Sequence, residues 1–230
     1  PFALAIGAHP DDIEFGCGGT LAKWAAAGCL VHHVVLTDGS KGTWNPEADI
    51  DSLIALRRRE QIEAASRLGA TGEVVFFEQI DGELEHSRVL LSRLAREIRR
   101  LKPTVVLGHD PWKRYRLHPD HRNAGFLTCD AIVAARDPHF FKDHGLPHHR
   151  PSHLLLWEAD AADHAEDIST SVDDKIHALL AHRSQFESTM KAVDEASIEA
   201  FTSRIRHRVG ELGRLVDRPG VEVFKKISDL

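Results

Sequence analysis

The sequence predicts an α/β fold, a Rossmann-like three-layer arrangement with a mostly parallel sheet and a helical C-terminal extension. Short apolar runs alternate with helical patterns through the first 160 residues, which is typical of parallel strands joined by right-handed helical crossovers. Beyond that point the pattern becomes mainly helical. The 230 residues, 42% of them hydrophobic, can build one large core. We therefore predict a single domain over 1–230, with an α/β core over 1–160 and a helical tail over 161–230.

Five apolar runs predict the strands of the core. They lie at residues 2–7, 30–39 (including the turn that follows), 73–77, 104–109 and 153–158. Helical patterns separate the first four at 20–28, 53–69 and 88–102, and a further helix is predicted after His118. The tail predicts long helical material over 173–208 and a late strand over 221–227. In a doubly wound sheet these strands take the core order 3-2-1-4-5.

Two short motifs follow the first and fourth strands. They are His9-Pro10-Asp11-Asp12 and His118-Pro119-Asp120-His121. Proline and aspartate suit the first turn of a helix, because that turn has free N–H groups and a positive dipole end. A helix start does not explain the histidine before each proline. Since strands one and four are neighbours, and ligands bind beyond the carboxyl ends of such strands, we expect the motifs to share one crevice.

Three side chains of these motifs form a candidate metal site. His9, Asp12 and His121 offer two imidazoles and one carboxylate, a common donor set for catalytic Zn²⁺ that leaves a coordination position free. Fe²⁺ is an alternative, because the same ligand types suit it. The sequence therefore predicts a mononuclear metal centre.

The remaining polar residues of the motifs are candidates for proton transfer. Asp11 and His118 are not needed as ligands and can accept or donate protons. Asp120 is expected to orient His118 and to favour its protonated form.

These residues resemble the PIG-L/LmbE family of zinc-dependent de-N-acetylases, whose pattern is an AHPDD-type motif after the first strand and an HPDH-type motif later. Other segments are also similar: TDGSKGT (37–43), RRREQIEAASRLGA (57–70), DGEL (81–84), DISTSVDDKIHALLAHRSQ (167–185) and VEVFKK (221–226). The chain departs from the family at Ser40, where many members have an acidic residue, and at Arg116, where some have an aromatic.

The resemblance implies an enzyme that removes an N-acetyl group from an N-acetylglucosamine-type or related small amide, through water activated by a metal. Asp11 would be the general base. His118, as imidazolium, would steady the oxyanion or protonate the leaving amine. Arg57 would reach the substrate, and His182 would close the pocket from the tail, although surface or packing roles are equally compatible with both. A homo-oligomer is also compatible with the resemblance.

Two other functions are compatible with parts of the sequence. Some relatives of the family are hydratases of unsaturated dicarboxylic acids, and the arginines at 57, 58, 114 and 116 could hold carboxylates. Gly16, Gly18 and Gly19, with Asp38 after strand two, imitate a dinucleotide-binding pattern. The glycine spacing is not GxGxxG, however, and it comes several residues after the strand.

Composition limits the partners and the compartment. A net charge of −6 argues against general nucleic-acid binding, and no apolar run approaches the ~20 residues of a membrane span. The start lacks the pattern of a secretory signal, and the three cysteines form no CxxC pair, so we expect reduced thiols and a cytoplasmic location. The histidine-rich segment 139–153 is expected to be a solvated loop and is a candidate lid. Loop aromatics that could stack on a sugar are Trp44, Trp112 and Tyr115.

Overall fold

The computed structural model describes residues 1–230 and contains one seven-stranded sheet with helices on both faces. The strands are β1 (Phe2–Gly7), β2 (Leu30–Thr37), β3 (Val74–Gln79), β4 (Val105–His109), β5 (His153–Trp157), β6 (His164–Asp167) and β7 (Val221–Ser228). The helices are α1 (Asp12–Ala26), α2 (Ile50–Arg67), α3 (Arg88–Leu101), α4 (Pro119–Arg136), α5 (Val172–Leu179) and α6 (Glu195–Arg214). None of them is long and apolar enough to cross a lipid bilayer.

The sheet has the order β3-β2-β1-β4-β5-β7-β6. The first five strands pair in parallel, whereas β7 is antiparallel to both β5 and β6. The predicted core order and the mostly parallel sheet are therefore confirmed. Because β1 lies between β2 and β4, the chain winds outward from it in both directions, and a crevice opens beyond the carboxyl ends of β1 and β4.

Alternation along each strand produces the three layers. Leu4 and Ile6 of β1 belong to a core with the apolar faces of α3 and α4. Ala3 and Ala5 of the same strand belong to a second core with α1, α2 and α5. Side chains of a strand point alternately to opposite faces, so one strand can contribute to both cores.

The tail is less regular than the predicted helical extension. The late strand is confirmed as β7, but the sheet also gains the short strand β6, which the sequence analysis missed. The predicted helical stretch over 173–208 is broken: α5 ends at Leu179, a 3₁₀ turn and a π turn cover 183–190, and α6 begins at Glu195. Asp194 caps α6 by accepting from the Ser197 amide at 2.8 Å, which explains the new start.

A kink in α1 is stabilised by the tail. Cys17 has non-helical backbone angles (φ −149°, ψ 17°), so nearby helical hydrogen bonds are lost. Glu222 of β7 accepts from the Gly19 and Thr20 amides at 3.0 and 2.8 Å. Lys175 of α5 donates to the Phe15 carbonyl at 2.7 Å and pairs with Glu222. This buried ion pair therefore replaces hydrogen bonds that the kink breaks.

The histidine-rich segment lies at the amino ends of the parallel strands, whereas the crevice lies beyond their carboxyl ends. It connects the C-terminal end of α4 to the start of β5, and none of its residues lines the cavity of about 700 Å³ that opens at the crevice. The segment is largely exposed as expected, and it does not cover this cavity. Buried Arg99 holds it, donating to the carbonyls of residues 134, 135, 137, 140 and 141 at 2.9–3.1 Å.

Candidate metal centre and active site

The two motifs meet beyond the carboxyl ends of β1 and β4, as the sequence predicts. The first leads from β1 into α1, with Asp11 as the N-cap. The second leads into α4, with His118 as the N-cap and Pro119 in the first turn. His9 contacts Asp120 at 3.0 Å and His121 at 3.2 Å, across more than a hundred positions in the sequence.

Three predicted ligands place their donor atoms around one point. His9 Nδ1 lies 3.2 Å from Asp12 Oδ2 and 3.2 Å from His121 Nε2. His121 Nε2 lies 3.2 Å from Asp12 Oδ1. A tetrahedral site with bonds of ~2.0–2.1 Å has ligand atoms ~3.3 Å apart, so the set fits a small divalent cation such as Zn²⁺. Two imidazole nitrogens that face each other beside a carboxylate are typical of a metal centre.

Two further carboxylates orient His9. Its Nε2 lies 3.0 Å from Asp120 Oδ2 and 3.1 Å from Asp81 Oδ1, which leaves Nδ1 facing the donor cluster. Burial opposes protonation of His9, but the contacts with these acids and with Asp12 outweigh it and raise the His9 pKa. A carboxylate on the second nitrogen of a ligating histidine fixes its tautomer and strengthens it as a ligand. The sequence analysis did not predict Asp81 as a site residue, although the family-like segment DGEL (81–84) contains it.

The expected contact of Asp120 with His118 does not form. The Asp120 carboxylate binds His9 and accepts from the Gly82 and Leu84 amides at 2.6 and 3.1 Å. Only the Asp120 main chain meets His118, donating its amide to His118 Nδ1 at 3.3 Å. The carboxylate therefore supports a predicted ligand instead of the predicted acid.

His118 lies over the donor cluster as a neutral donor. Its ring packs edge-on against His9 and stacks on His121, with centroids 4.6 and 4.8 Å away. Burial and these two neighbouring rings lower the His118 pKa, which argues against the expected imidazolium in the resting site. Because Nδ1 accepts the Asp120 amide, the proton of the neutral ring lies on Nε2 and can be donated.

Asp11 is buried at the cavity wall in an unusual conformation. Its φ of 105° lies in the left-handed region, which is costly for a residue other than glycine. Burial, assisted by the nearby Asp12 charge, raises the Asp11 pKa to about 6, although Arg57 pulls it down. An Arg57 nitrogen lies 3.6 Å from Asp11 Oδ2. A carboxylate with a pKa near neutrality is suited to accepting a proton.

The predicted substrate contacts lie in two different environments. Arg57 lines the cavity but is buried, and it donates to the carbonyls of Gly39 and Pro10 at 2.9 and 2.6 Å. His182 has no exposed surface and lies 3.2 Å from Glu14 Oε2. It is not among the residues that line the cavity. A direct contact of either residue with substrate stays a prediction.

His109 is a second residue that the sequence analysis missed. Its Nε2 lies 3.2 Å from Asp12 Oδ2, and its Nδ1 accepts from the Trp157 indole N–H at 3.1 Å. Arg116 also donates to this Nδ1, at 3.2 Å. Burial lowers the His109 pKa to about 4, so the neutral ring donates from Nε2 and orients the Asp12 carboxylate. In this tautomer Nε2 carries the proton, so it does not accept a hydrogen bond from the Ala8 amide, which lies 3.3 Å away. The sequence signal that could have indicated His109 is its position as the last residue of the predicted fourth strand.

A cavity of about 700 Å³ opens above the cluster. Asp11, His118 and Arg57 line it together with the donor residues. Of the loop aromatics, Trp44 lines the cavity and is 79% exposed, whereas Trp112 and Tyr115 lie outside it. The cavity is therefore large enough for a substrate of the size of a small saccharide.

The fold and this cluster define the class of protein: an α/β enzyme of the doubly wound type, with a candidate metal centre at the switch point of its sheet. The profile of the PIG-L family, GlcNAc-PI de-N-acetylase, matches residues 4–132. The diacetylchitobiose deacetylase of Thermococcus kodakarensis is 35% identical over 186 residues, which are 80% of this chain and 69% of that protein. The chain belongs to the PIG-L family.

Solved structures agree with this family. The N,N'-diacetylchitobiose deacetylase of Pyrococcus horikoshii, in complex with its inhibitor, superposes with a TM-score of 0.89 at 30% identity. The match covers 99% of this chain and 84% of that one.

Another relative has a different activity: the 4-oxalmesaconate hydratase of Pseudomonas putida is 32% identical over 139 residues, which are 58% of this chain and 52% of that protein.

Proposed function

We propose that this protein is a metal-dependent hydrolase that removes the N-acetyl group from an N-acetylglucosamine-type or related small amide substrate. The observation that carries the proposal is the convergence of His9 Nδ1, the Asp12 carboxylate and His121 Nε2 at 3.2 Å, beside a buried carboxyl group on Asp11. The two diacetylchitobiose deacetylase relatives support the reaction class.

His9, Asp12 and His121 would hold the metal, with Zn²⁺ as the first choice and Fe²⁺ as the alternative. A metal bound there polarises the acyl carbonyl and lowers the pKa of water. Asp120 and Asp81 keep His9 turned so that Nδ1 faces the site. His109 does the same for the Asp12 carboxylate.

Asp11 is the proposed general base. It accepts a proton from the attacking water, whose oxygen forms the new bond to the acyl carbon. With a pKa of about 6, it is mostly ionised at pH 7 and still able to accept a proton. Such a positioned base contributes ~10²–10⁴-fold to the rate.

His118 is the proposed donor on the other side of the reaction. Its Nε2–H donates to the oxygen of the acyl group as negative charge develops there, a role worth ~10²–10³-fold. When the C–N bond breaks, His118 gives its proton to the leaving nitrogen, and the proton that Asp11 took from the water returns to His118 through solvent, which restores both groups. The products are acetate and the amine as its ammonium ion, so atoms and charge balance.

The cavity wall supplies the proposed substrate contacts. Arg57 can meet the substrate only through the edge of a guanidinium that already braces two loops. Trp44 offers an exposed ring face on which a sugar can stack. His182 is completely buried, which favours a role in supporting the site over a direct contact with the substrate.

We also propose a cytoplasmic enzyme that acts as one domain over 1–230, alone or as a homo-oligomer, on a small-molecule partner. All three cysteines are free, which agrees with a reducing compartment.

A hydratase is the second candidate, because one relative carries that activity. Three of the four arginines that could hold a dicarboxylate are engaged elsewhere, which argues against it. Arg57 is committed to main-chain carbonyls, Arg58 pairs with Glu78, and Arg116 is buried beside His109.

The test is to strip the purified protein of metal, reload it with Zn²⁺ or Fe²⁺, and supply N-acetylglucosamine and N,N'-diacetylchitobiose. We expect acetate and free amine in equal amounts from the reloaded protein and neither from the stripped one. His121→Ala is the matched control that should not reload. Hydration of an unsaturated dicarboxylate without acetate release from any N-acetyl sugar would favour the hydratase instead.

A further inference from the structure

The unusual backbone at Asp11 is held from α2. The Asp11 amide donates to Gln61 Oε1 at 3.0 Å, and Gln61 is completely buried. One turn earlier on the same helix, Arg57 donates to the Pro10 carbonyl at 2.6 Å. The main chain at this junction is therefore fixed by two side chains of one rigid helix. Left-handed backbone persists at a non-glycine residue only where its surroundings enforce it.

The orientation of the Gln61 amide is fixed in turn by acceptors on its other side. Its Nε2 donates to Glu14 Oε1 at 2.8 Å and faces His33 Nδ1 at 3.5 Å. Because a carboxyl oxygen of Glu14 accepts this hydrogen bond, the NH₂ group of Gln61 faces Glu14. Its oxygen is thereby turned to the Asp11 amide.

Glu14 is itself anchored in the tail. Its second oxygen, Oε2, lies 3.2 Å from His182 Nε2, and both side chains have no exposed surface. A buried carboxylate is stable only when it is paired and hydrogen-bonded. His182, in the tail segment His182-Arg183-Ser184-Gln185, is therefore linked to Asp11 through Glu14 and Gln61.

We propose that Gln61, oriented by Glu14 and His182, is a positioning residue that keeps Asp11 in its left-handed conformation and so aims the base at the substrate water. The inference rests on the proposed function for the role of Asp11. Gln61 does not line the cavity and acts only through the Asp11 main chain.

Gln61→Met tests the proposal, because methionine has a similar length but neither donates nor accepts in the same way. We expect kcat to fall ~10²-fold, the loss typical of a small misplacement of a reacting group, with KM and bound metal unchanged. Gln79→Met is the matched control: Gln79 donates to the Phe77 carbonyl, away from this network, and kcat should stay within twofold.

A double-mutant cycle separates positioning from general destabilisation. In an Asp11→Asn background, Gln61→Met should change kcat by less than ~2-fold, because the base on which it acts has been removed. An equal loss in both backgrounds would overturn the proposal, since a purely structural defect would multiply with the loss of the base.

A crystal structure of Gln61→Met decides the matter without an assay. We expect Asp11 to leave the left-handed region, whereas a φ that stays near 105° would refute the positioning role. If the wild-type protein released no acetate, the proposed function would fail, but the crystal structure of Gln61→Met would still test whether Gln61 holds the Asp11 backbone.

Discussion

Replacing Arg99 with methionine should destabilise the protein by about 2 kcal/mol and leave its catalysis intact. The guanidinium is buried and donates to five main-chain carbonyls at the end of α4 and in the segment that follows. Methionine keeps much of the aliphatic volume but removes every donor. The substitution therefore isolates the hydrogen bonds from the packing.

The expected loss of stability depends on how many of these carbonyl oxygens water can reach after the substitution. The carbonyls of Ala134 and Ala135 belong to fully buried residues, but the Ala135 carbonyl also accepts from the His149 amide at 2.9 Å and keeps that partner. The other three carbonyls belong to half-exposed or exposed residues and can be rehydrated. The Ala134 carbonyl is therefore the buried acceptor that loses its donor, and an orphaned buried acceptor costs ~1–3 kcal/mol, so the expected loss is about 2 kcal/mol. For a chain of this length such a loss lowers Tm by ~4–8 °C.

Thermal unfolding followed by circular dichroism measures the stability, and kcat/KM at 25 °C with equal metal content measures catalysis. Arg96→Met is the matched control, because Arg96 is exposed on the same helix and should cost less than ~0.5 kcal/mol. An unchanged Tm would refute the hydrogen-bond argument. A lower kcat/KM at full metal content would instead show that the histidine-rich segment communicates with the active site.

Three further predictions concern the site and the thiols. Asp11→Asn should retain the metal but lose ~10²–10⁴-fold in kcat, so full turnover would contradict the assignment of the base. His121→Ala should lose bound metal in elemental analysis, and unchanged metal content would remove it from the ligand set. Burial raises the pKa of Cys129 to about 12 and that of Cys17 well above its usual range. Both thiols therefore stay protonated at pH 8 and should react slowly with a disulfide reagent, and rapid labelling of Cys17 would contradict its complete burial.

The core of the fold was predictable because its signals are local. Apolar runs gave the five parallel strands, and Pro119 with its neighbouring aspartate marked the start of α4. The meeting of the two motifs needed only the strand order. By contrast, β6 has four residues, His164–Asp167, and no apolar periodicity, so only its pairing with β7 makes it a strand.

The residues around the predicted ligands were harder to foresee, because their partners are set by tertiary approach. The spacing of Asp120 after His118 is compatible with an ion pair between them, but the carboxylate turns to His9, which is 111 positions away. His109 looks like the ordinary last residue of a strand until Trp157 approaches from the neighbouring strand. Pairing of this kind leaves no periodic trace in a single sequence.

The place of β7 in the sheet has a consequence for how the protein emerges from the ribosome. This strand follows all the others in the sequence, yet it lies between β5 and β6. Until it is synthesised, the nascent chain exposes an unpaired edge on β5, and such edges invite association with other chains. Translation must therefore pass residue 228 before that edge is covered, and a chaperone that shields it in the meantime would raise the yield of native enzyme.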